Sequence, residues 1–442
     1  MMSRVIPKSW SWAFLLALFS VSTVHAQTPE DDGRYLEAEH GRGVDLARSG
    51  QYDQALILLE QLLAKHPDYY PLERDIIIIY AWKGDCRTAL RKFEKVRDQP
   101  DPEAYLILPV SECMVRHGRI QEAVAILNDS RQRAPDDAEL ENAYNNAMAK
   151  LAAKLLYEFR AEAGTDTSDQ GKREWLMGAT LARHLSDRTQ IYVRYATSLS
   201  GYDAYQSGKS ERVGVGIQHE FRNSLVFTQE FSGDMYRGGQ SGSLTSLVYL
   251  PTDLWRLGAS HTTYAEDIPL RAKAERISAK RSVVFTDFHT AEYRWSWLAS
   301  ASRYEFSDSN NRAAYFTSLG YAYELAPKRE QRVFLELYQS NNTLADAVYY
   351  NPIHDRNLSV VHKTDFVFDS RFRRHVDHLY LSLGSYDQQG YATRGVWGVR
   401  YEQDYDFTDR VALLVGAGYG RHVYDGAGEY ETSLNAVFRW LF

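Results

Sequence analysis

The sequence predicts two joined folds. The first is an α-helical tetratricopeptide (TPR) solenoid, and the second is a transmembrane antiparallel β-barrel of about sixteen strands. Three observations predict them. Gly50, Gly84 and Gly118 recur every 34 residues. From about Leu155 the apolar pattern changes to a period of two. The last segment alternates and is aromatic: Tyr430, Thr432, Leu434, Ala436, Phe438, Trp440 and Phe442 fall on one face, and Glu431, Ser433, Asn435, Val437, Arg439 and Leu441 on the other. Side chains alternate across a strand, so this segment reads as a strand between an apolar and a wet medium. An aromatic last strand ending in Phe is the usual closing strand of a bacterial outer-membrane barrel.

Residues 1–26 read as a secretory signal peptide. Arg4 and Lys8 precede an apolar stretch from Trp10 to about Val21, and Val24-His25-Ala26 gives a small-x-small cleavage site before Gln27. The apolar run is short of the ~18 residues of an uncleaved membrane anchor. No Cys follows the site, which disfavours a lipoprotein anchor.

Residues 27–152 form the predicted periplasmic TPR domain, with repeats near 36–69, 70–103 and 104–137 and a capping helix from about Asp136 to Met148. Ala55, Ala89 and Ala123 share the 34-residue spacing, and Pro67 and Pro135 stand two periods apart with Asp101-Pro102 near the middle slot. Gly lets the chain turn between paired helices, small Ala lets them approach, and Pro ends the second. Leu59, Phe93 and Leu127 fill the next core position, and Gly43 and Tyr80 match the first helix of repeats one and two. Pro109 predicts a kink in repeat three. Cys86 and Cys113 lie on helix ends that a TPR stack brings together. They are either a disulfide, which an oxidising periplasm permits, or two buried thiols.

Residues 153–442 form the predicted barrel. Its strands start near Lys154, Arg173, Thr189, Lys209, Ser224, Ser241, Asp253, Ala272, Thr286, Arg312, Gln331, Asp355, Val376, Thr393, Arg410 and Gly428. Val213, Val215 and Ile217 oppose Gly214, Gly216, Gln218 and Glu220, and Trp397, Val399, Tyr401 and Tyr405 oppose Arg400, Glu402, Asp404 and Asp406. An even strand count returns both barrel ends to the periplasmic side, and about sixteen strands enclose a wet lumen. A mean hydropathy of −0.46 fits, because only alternate residues meet lipid. The 31 Tyr, 9 Trp and 18 Phe supply aromatic girdles.

A net charge of −7 with no basic stripe disfavours nucleic acid as a partner. The sequence has no HExxH, GxSxG or P-loop, so no enzyme is expected, and nothing calls for a cofactor. His354, His362, His375 and His378 lack metal-ligand spacing, so no metal is expected. Gly416-x-Gly418-x-Gly420 lies inside a strand, where small residues leave pore space. The informative residues are the charges on the wet face: Glu220, Glu230, Glu336, Glu402, Asp404 and Glu431, with Arg194, Arg256, Arg400 and Arg439. Tyr338, Tyr380 and Tyr386 add rings that could stack on sugars. Carboxylate rings favour cationic or neutral passengers. The alternative is a lumen of internal pairs, such as Arg400 with Glu402 or Asp404.

Several segments carry a family resemblance: Ser307-Asp308-Ser309-Asn310-Asn311-Arg312, Asn342 to Pro352 with Tyr349-Tyr350-Asn351-Pro352, Gly395 to Glu402, and Arg421-His422-Val423-Tyr424-Asp425-Gly426. In order and spacing they resemble the C-terminal porin of the PgaA/HmsH family, which exports poly-β-1,6-N-acetyl-glucosamine. The resemblance is best over about Ser307 to Phe442. It implies an electronegative lumen fed by a periplasmic TPR domain that holds partly deacetylated polymer and the periplasmic deacetylase. The chain departs from the family in its short array of about three repeats. The expected function is therefore an outer-membrane exopolysaccharide export porin, passive at this step. Its expected partners are the exopolysaccharide, a periplasmic deacetylase, outer-membrane lipid and the barrel-insertion machinery. Two alternatives are a TPR-barrel assembly or secretion factor for surface proteins, and a surface or phage receptor.

Overall fold

The computed structural model describes residues 29–97, 104–168, 173–202, 206–221, 224–235, 240–290, 293–326, 328–368, 374–408 and 410–442. The leader of residues 1–26 and the Asp101-Pro102 slot lie outside the described residues. The chain divides after Leu72 into two compact units.

The first unit contains α1 (Pro29–Arg48) and α2 (Tyr52–Lys65). α2 buries Ala55, Leu56, Leu59 and Leu62, the stripe that a 3.6-residue period places on one face. Gly43 of α1 lies against Leu59, where a Cβ would strike the leucine side chain. The small residue therefore sets how closely the two helices approach.

The second unit takes in most of α3 (Tyr70–Lys83), then α4 (Cys86–Val96), α5 (Ala104–Arg116), α6 (Ile120–Arg133) and α7 (Ala138–Lys154). Gly84 and Gly118 turn one helix into the next at φ of +90° and +72°, a region that side chains disfavour. Ala89, Phe93, Ala123 and Leu127 are buried. The helices pair as turn-linked hairpins, consistent with a TPR-like solenoid. The Asp85 carboxylate caps α4 by accepting from the Thr88 N–H at 3.2 Å. Pro109 lies inside α5. Cys86 and Cys113 are joined in a disulfide, with a Cα–Cα separation of 5.0 Å.

Among the described residues sixteen strands follow. They are β1 (Tyr157–Ser168), β2 (Arg173–His184), β3 (Thr189–Tyr202), β4 (Gln206–Glu220), β5 (Leu225–Asp234), β6 (Ser241–Thr252), β7 (Trp255–Thr262) and β8 (Ala279–His289). The second half is β9 (Trp295–Phe306), β10 (Asn311–Ala326), β11 (Arg329–Asn342), β12 (His354–Phe368), β13 (Arg374–Gln388), β14 (Arg394–Asp406), β15 (Val411–Tyr424) and β16 (Ala427–Leu441). A short helix, α8 (Leu270–Ala274), sits between β7 and β8. Each strand pairs antiparallel with its chain neighbours, and β1 with β16 closes the barrel. Tyr157 and Phe442 exchange both backbone hydrogen bonds at 2.9 Å, and their rings stack. Closure leaves no strand edge, which a bilayer would not tolerate.

Four expected strand starts are corrected. Lys209 lies inside β4, which starts at Gln206. Lys154 ends α7, and β1 starts at Tyr157. Ala272 lies in α8, and the eighth strand starts at Ala279. Thr286 is inside β8, and the ninth strand starts at Trp295. The error has a physical source. Ile268, Leu270 and Ala272 alternate like a lipid-facing strand, yet Ile268 and Ala272 are buried against Phe306 and Tyr349. Their apolar partner is a loop core and not lipid.

Candidate functional site: the barrel lumen and its two ends

Two loops at the end of the barrel remote from α4 and α6 pack together. The loop 263–278 joins β7 to β8, and its α8 packs against β4 and β3, across from its own strands. The loop 343–353 joins β11 to β12. Ala265, Ile268 and Ala272 of the first meet Tyr349 of the second, together with Phe306 and Ala279. Apolar contact between two loops explains why each folds inward: neither could bury these groups alone.

Charge ties the first loop to the wall. Arg194 of β3 donates to both oxygens of Glu266, at 2.8 and 2.7 Å, and to Glu230 of β5 at 2.7 Å. Tyr192 donates to Glu230 at 2.9 Å. Arg212 of β4 is 1% exposed, with its guanidinium 3.7 Å over the Tyr264 ring, 3.5 Å from Glu266 and donating to Ser232 at 2.7 Å. Lys273 donates to the Glu266 carbonyl. Two guanidiniums thus meet two carboxylates, the arrangement that makes such a cluster tolerable away from water. Beside it lies a cavity of about 350 Å³, bordered by Glu162, Arg194, Arg212, Glu266, Lys273 and Asn435.

Mostly neutral groups hold the second loop, with no arginine or lysine among the bonds that follow. Asn310, on the turn from β9 to β10, is fully buried. Its Nδ2 donates to Asn351 at 2.9 Å, Tyr349 at 3.1 Å and Asn342 at 3.2 Å. Its Oδ1 accepts from the backbone N–H of Thr343 at 3.1 Å and Leu344 at 3.2 Å. Tyr350 shares a 2.6 Å hydrogen bond with Tyr386, which donates to Asp355 at 3.0 Å. Gln388 of β13 accepts from Tyr350 at 3.3 Å and donates to Asp425 at 3.0 Å, joining the loop to the turn from β15 to β16.

The charges expected on the wet face are spread around the wall, mostly in pairs. Glu402 accepts from Arg400 and, at 3.3 Å, from Asn435. Asp404 lies 3.6 Å from Arg374, and Arg439 3.7 Å from Asp406. Arg256 pairs with Asp287. Glu431 accepts from Tyr424 at 2.8 Å and lies 3.5 Å from His422. Tyr338 accepts from Arg312, and Tyr380 has Lys363 and Arg400 near its face. Glu336 accepts from Ser318 at 3.3 Å and has no cationic partner among the described residues. Glu220 lies elsewhere, at the end of β4, where Arg87 of α4 is 3.1 Å away. Arg212, Glu266, Lys273, Asn310, Tyr349 and Tyr350 were not legible as site residues. For Asn310, Tyr349 and Tyr350 a signal existed, because they lie in segments that carry the family resemblance.

Ion pairs dominate the end of the barrel that meets α4 and α6. Asp253, between β6 and β7, lies 3.3 Å from Arg87 Nε and 2.8 Å from His117 Nε2, and accepts from the Arg87 N–H at 3.1 Å. The α4 N-terminus adds its dipole to that attraction. Glu122 of α6 accepts from Arg119 at 2.7 Å and from Arg188 in the turn from β2 to β3. Burial pushes the Glu122 carboxyl up, but the two arginines outweigh it and hold it at about 2. Lys154 donates to the carbonyls of Gly118 at 3.0 Å and Asp187 at 2.6 Å, and burial holds its ammonium below the usual lysine range. Cys86, His117 and Asp253 bring ligand-type atoms within 4.8 Å of one another, but the Cys86 sulfur is committed to the disulfide.

Comparison with known proteins places this geometry among relatives. Residues 158–442 match the family described as the PgaA membrane beta barrel domain. Two curated relatives, poly-beta-1,6-N-acetyl-D-glucosamine export proteins of Escherichia coli K12 and O157:H7, are each 22% identical over 333 residues. The match takes in 70% of this chain and 38% of each relative, so the chain spans well under half of their length. A solved structure titled a bacterial polysaccharide outer membrane secretin superposes with a TM-score of 0.60 at 20% identity, covering 65% of this chain and 99% of that one.

Proposed function

Because the chain belongs to the PgaA membrane β-barrel domain family, we propose that its outer-membrane barrel exports an exopolysaccharide of the poly-N-acetyl-glucosamine type. The observation that carries this reading is the lumen wall, where acid–base pairs and tyrosines alternate behind two inward-packed loops. A neutral amidosugar chain needs many weak donors and acceptors, not one strong site. Weak sites in series permit passage without trapping. Amines left by partial deacetylation would be met by Glu336, whose charge no cation offsets among the described residues.

On this reading the helical segment is a periplasmic TPR domain that receives polymer or a partner such as a deacetylase. The loops 263–278 and 343–353 act as the outer gate, held shut by Glu266 and Asn310. Synthesis in the inner membrane pushes the chain outward.

The combined variant Glu402→Gln, Asp404→Asn and Glu431→Gln tests the lumen. It should lower polymer at the cell surface severalfold while the barrel still inserts, measured by polymer immunoblot and heat-modifiable gel migration. Unchanged export with normal insertion would sink the role given to the paired carboxylates.

A further inference from the structure

The seam between α4 and the barrel holds a second cavity, of about 270 Å³, apart from the lumen. Its inner wall is cationic. Arg87, Arg91, Arg119 and Arg188 line it, against Glu94 and Glu220. Their partners Glu122 and Asp253 do not line it. Its other wall is the periplasmic end of β4 and β6, with Phe221 and Tyr249 turned outward at 45% and 42% exposure. Outward aromatics at that level mark where a barrel meets the headgroup layer.

Three of the four arginines are engaged by carboxylates. Arg87 has Asp253 and Glu220, Arg119 has Glu94 and Glu122, and Arg188 has Glu122. Arg91 has no ion pair among the described residues. Among the described residues its guanidinium makes only two long contacts, to Thr88 Oγ1 at 3.4 Å and the Pro251 carbonyl at 3.5 Å. Bonds of that length hold a donor weakly. Arg91 therefore offers free N–H groups beside an apolar, membrane-level wall.

We propose that this seam binds the headgroup phosphate of an anionic phospholipid in the periplasmic leaflet, in preference to a zwitterionic one. Arg91 would clasp the phosphate through paired N–H groups, and the acyl chains would run down the Phe221–Tyr249 wall. The bound lipid would then anchor α4 to the membrane as well as to the barrel. The inference does not depend on what the lumen exports.

The test uses the full chain in nanodiscs and native mass spectrometry after gentle release. In phosphatidylcholine discs doped with phosphatidylglycerol, one phosphatidylglycerol should stay with each protein. Arg91→Ala should lower that retention about five- to tenfold, the effect of one arginine at a headgroup. Arg91→Lys should keep part of it, and Arg91→Gln should lose it with little change of shape. Heat-modifiable migration checks that each barrel is folded. Equal retention by wild type and both neutral variants would overturn the proposal. So would loss of the lipid to millimolar inorganic phosphate, which would identify a site for the free anion.

Discussion

At the outer end of the barrel, the loop 343–353 is held by one buried amide and its neutral partners, whereas at the periplasmic end α4 and α6 are held by carboxylates shared between arginines. The loop 343–353 and the contact of α4 and α6 with the barrel should fail under different conditions. Amide hydrogen bonds inside a packed loop are indifferent to salt and to pH between the carboxylate and amine ranges. Ion pairs at a wetted rim are screened by salt and lost to acid. The outer gate proposed for this loop would have to stay shut in variable surroundings, which suits the first chemistry. A dock inside the periplasm tolerates the second.

The largest expected effect breaks the outer end. Asn310→Leu removes every side-chain bond to Asn342, Tyr349, Asn351, Thr343 and Leu344. Each buried polar group left without a partner costs about 1–3 kcal/mol, so the loop should release. Single-channel recording should show higher conductance with more frequent long openings, and proteolysis should cut within 343–353. Wild-type conductance with an uncut loop would show that the apolar cluster around Phe306 closes the gate alone.

A smaller effect is expected from Asp253→Asn. It keeps the shape but removes the charge that Arg87 and His117 share. Hydrogen exchange across α4 and the turn near Asp253 should rise, and raised salt should add little in the variant while loosening the wild type. Outer-loop exchange should not change, which separates the two ends.

Acid sharpens the same contrast. The folded Glu122 carboxyl titrates at about 2, below its ordinary value of 4.5. A carboxyl lowered by folding stabilises the dock above its unfolded value and loses that contribution as pH falls toward the folded one. Exchange at residues 185–188 and in α6 should therefore rise between about pH 4.5 and 2, and Glu122→Gln should abolish that dependence.

How much of this was legible depends on where each apolar residue finds its partner. The two faces of β16 were readable, because Leu434 and Trp440 are exposed while Asn435 reaches Glu402. The positions of Gly84 and Gly118 were readable because a turn at positive φ needs glycine. The loop 263–278 was not, because its alternation serves a core built with another loop. Glu266 and Arg194 stand 72 residues apart, and only the closed barrel brings them together. Of the pairings among these charges, the one within a strand was legible and the one between strands was not. A pair such as Arg400 with Glu402 sits two residues apart in one strand, whereas Arg194 with Glu230 joins β3 to β5 across β4.

The smallest expected effect tests whether pairing or net charge governs the lumen. Glu336 and Glu230 are both acidic wall residues, but only Glu230 has an arginine beside it among the described residues. Glu336→Gln removes a charge that nothing local balances and keeps the acceptor for Ser318. Glu230→Gln leaves Arg194 with Glu266 alone, so it exposes half of a cation. Reversal potentials in a salt gradient should then move the same way for both variants, away from cations. The Glu336→Gln shift should be small, with no change in conductance or loop protection. The Glu230→Gln shift should be larger and come with partial release of the loop 263–278. Equal shifts with intact loops would mean that the lumen reads only summed charge, and that the Arg194 cluster neither gates nor selects.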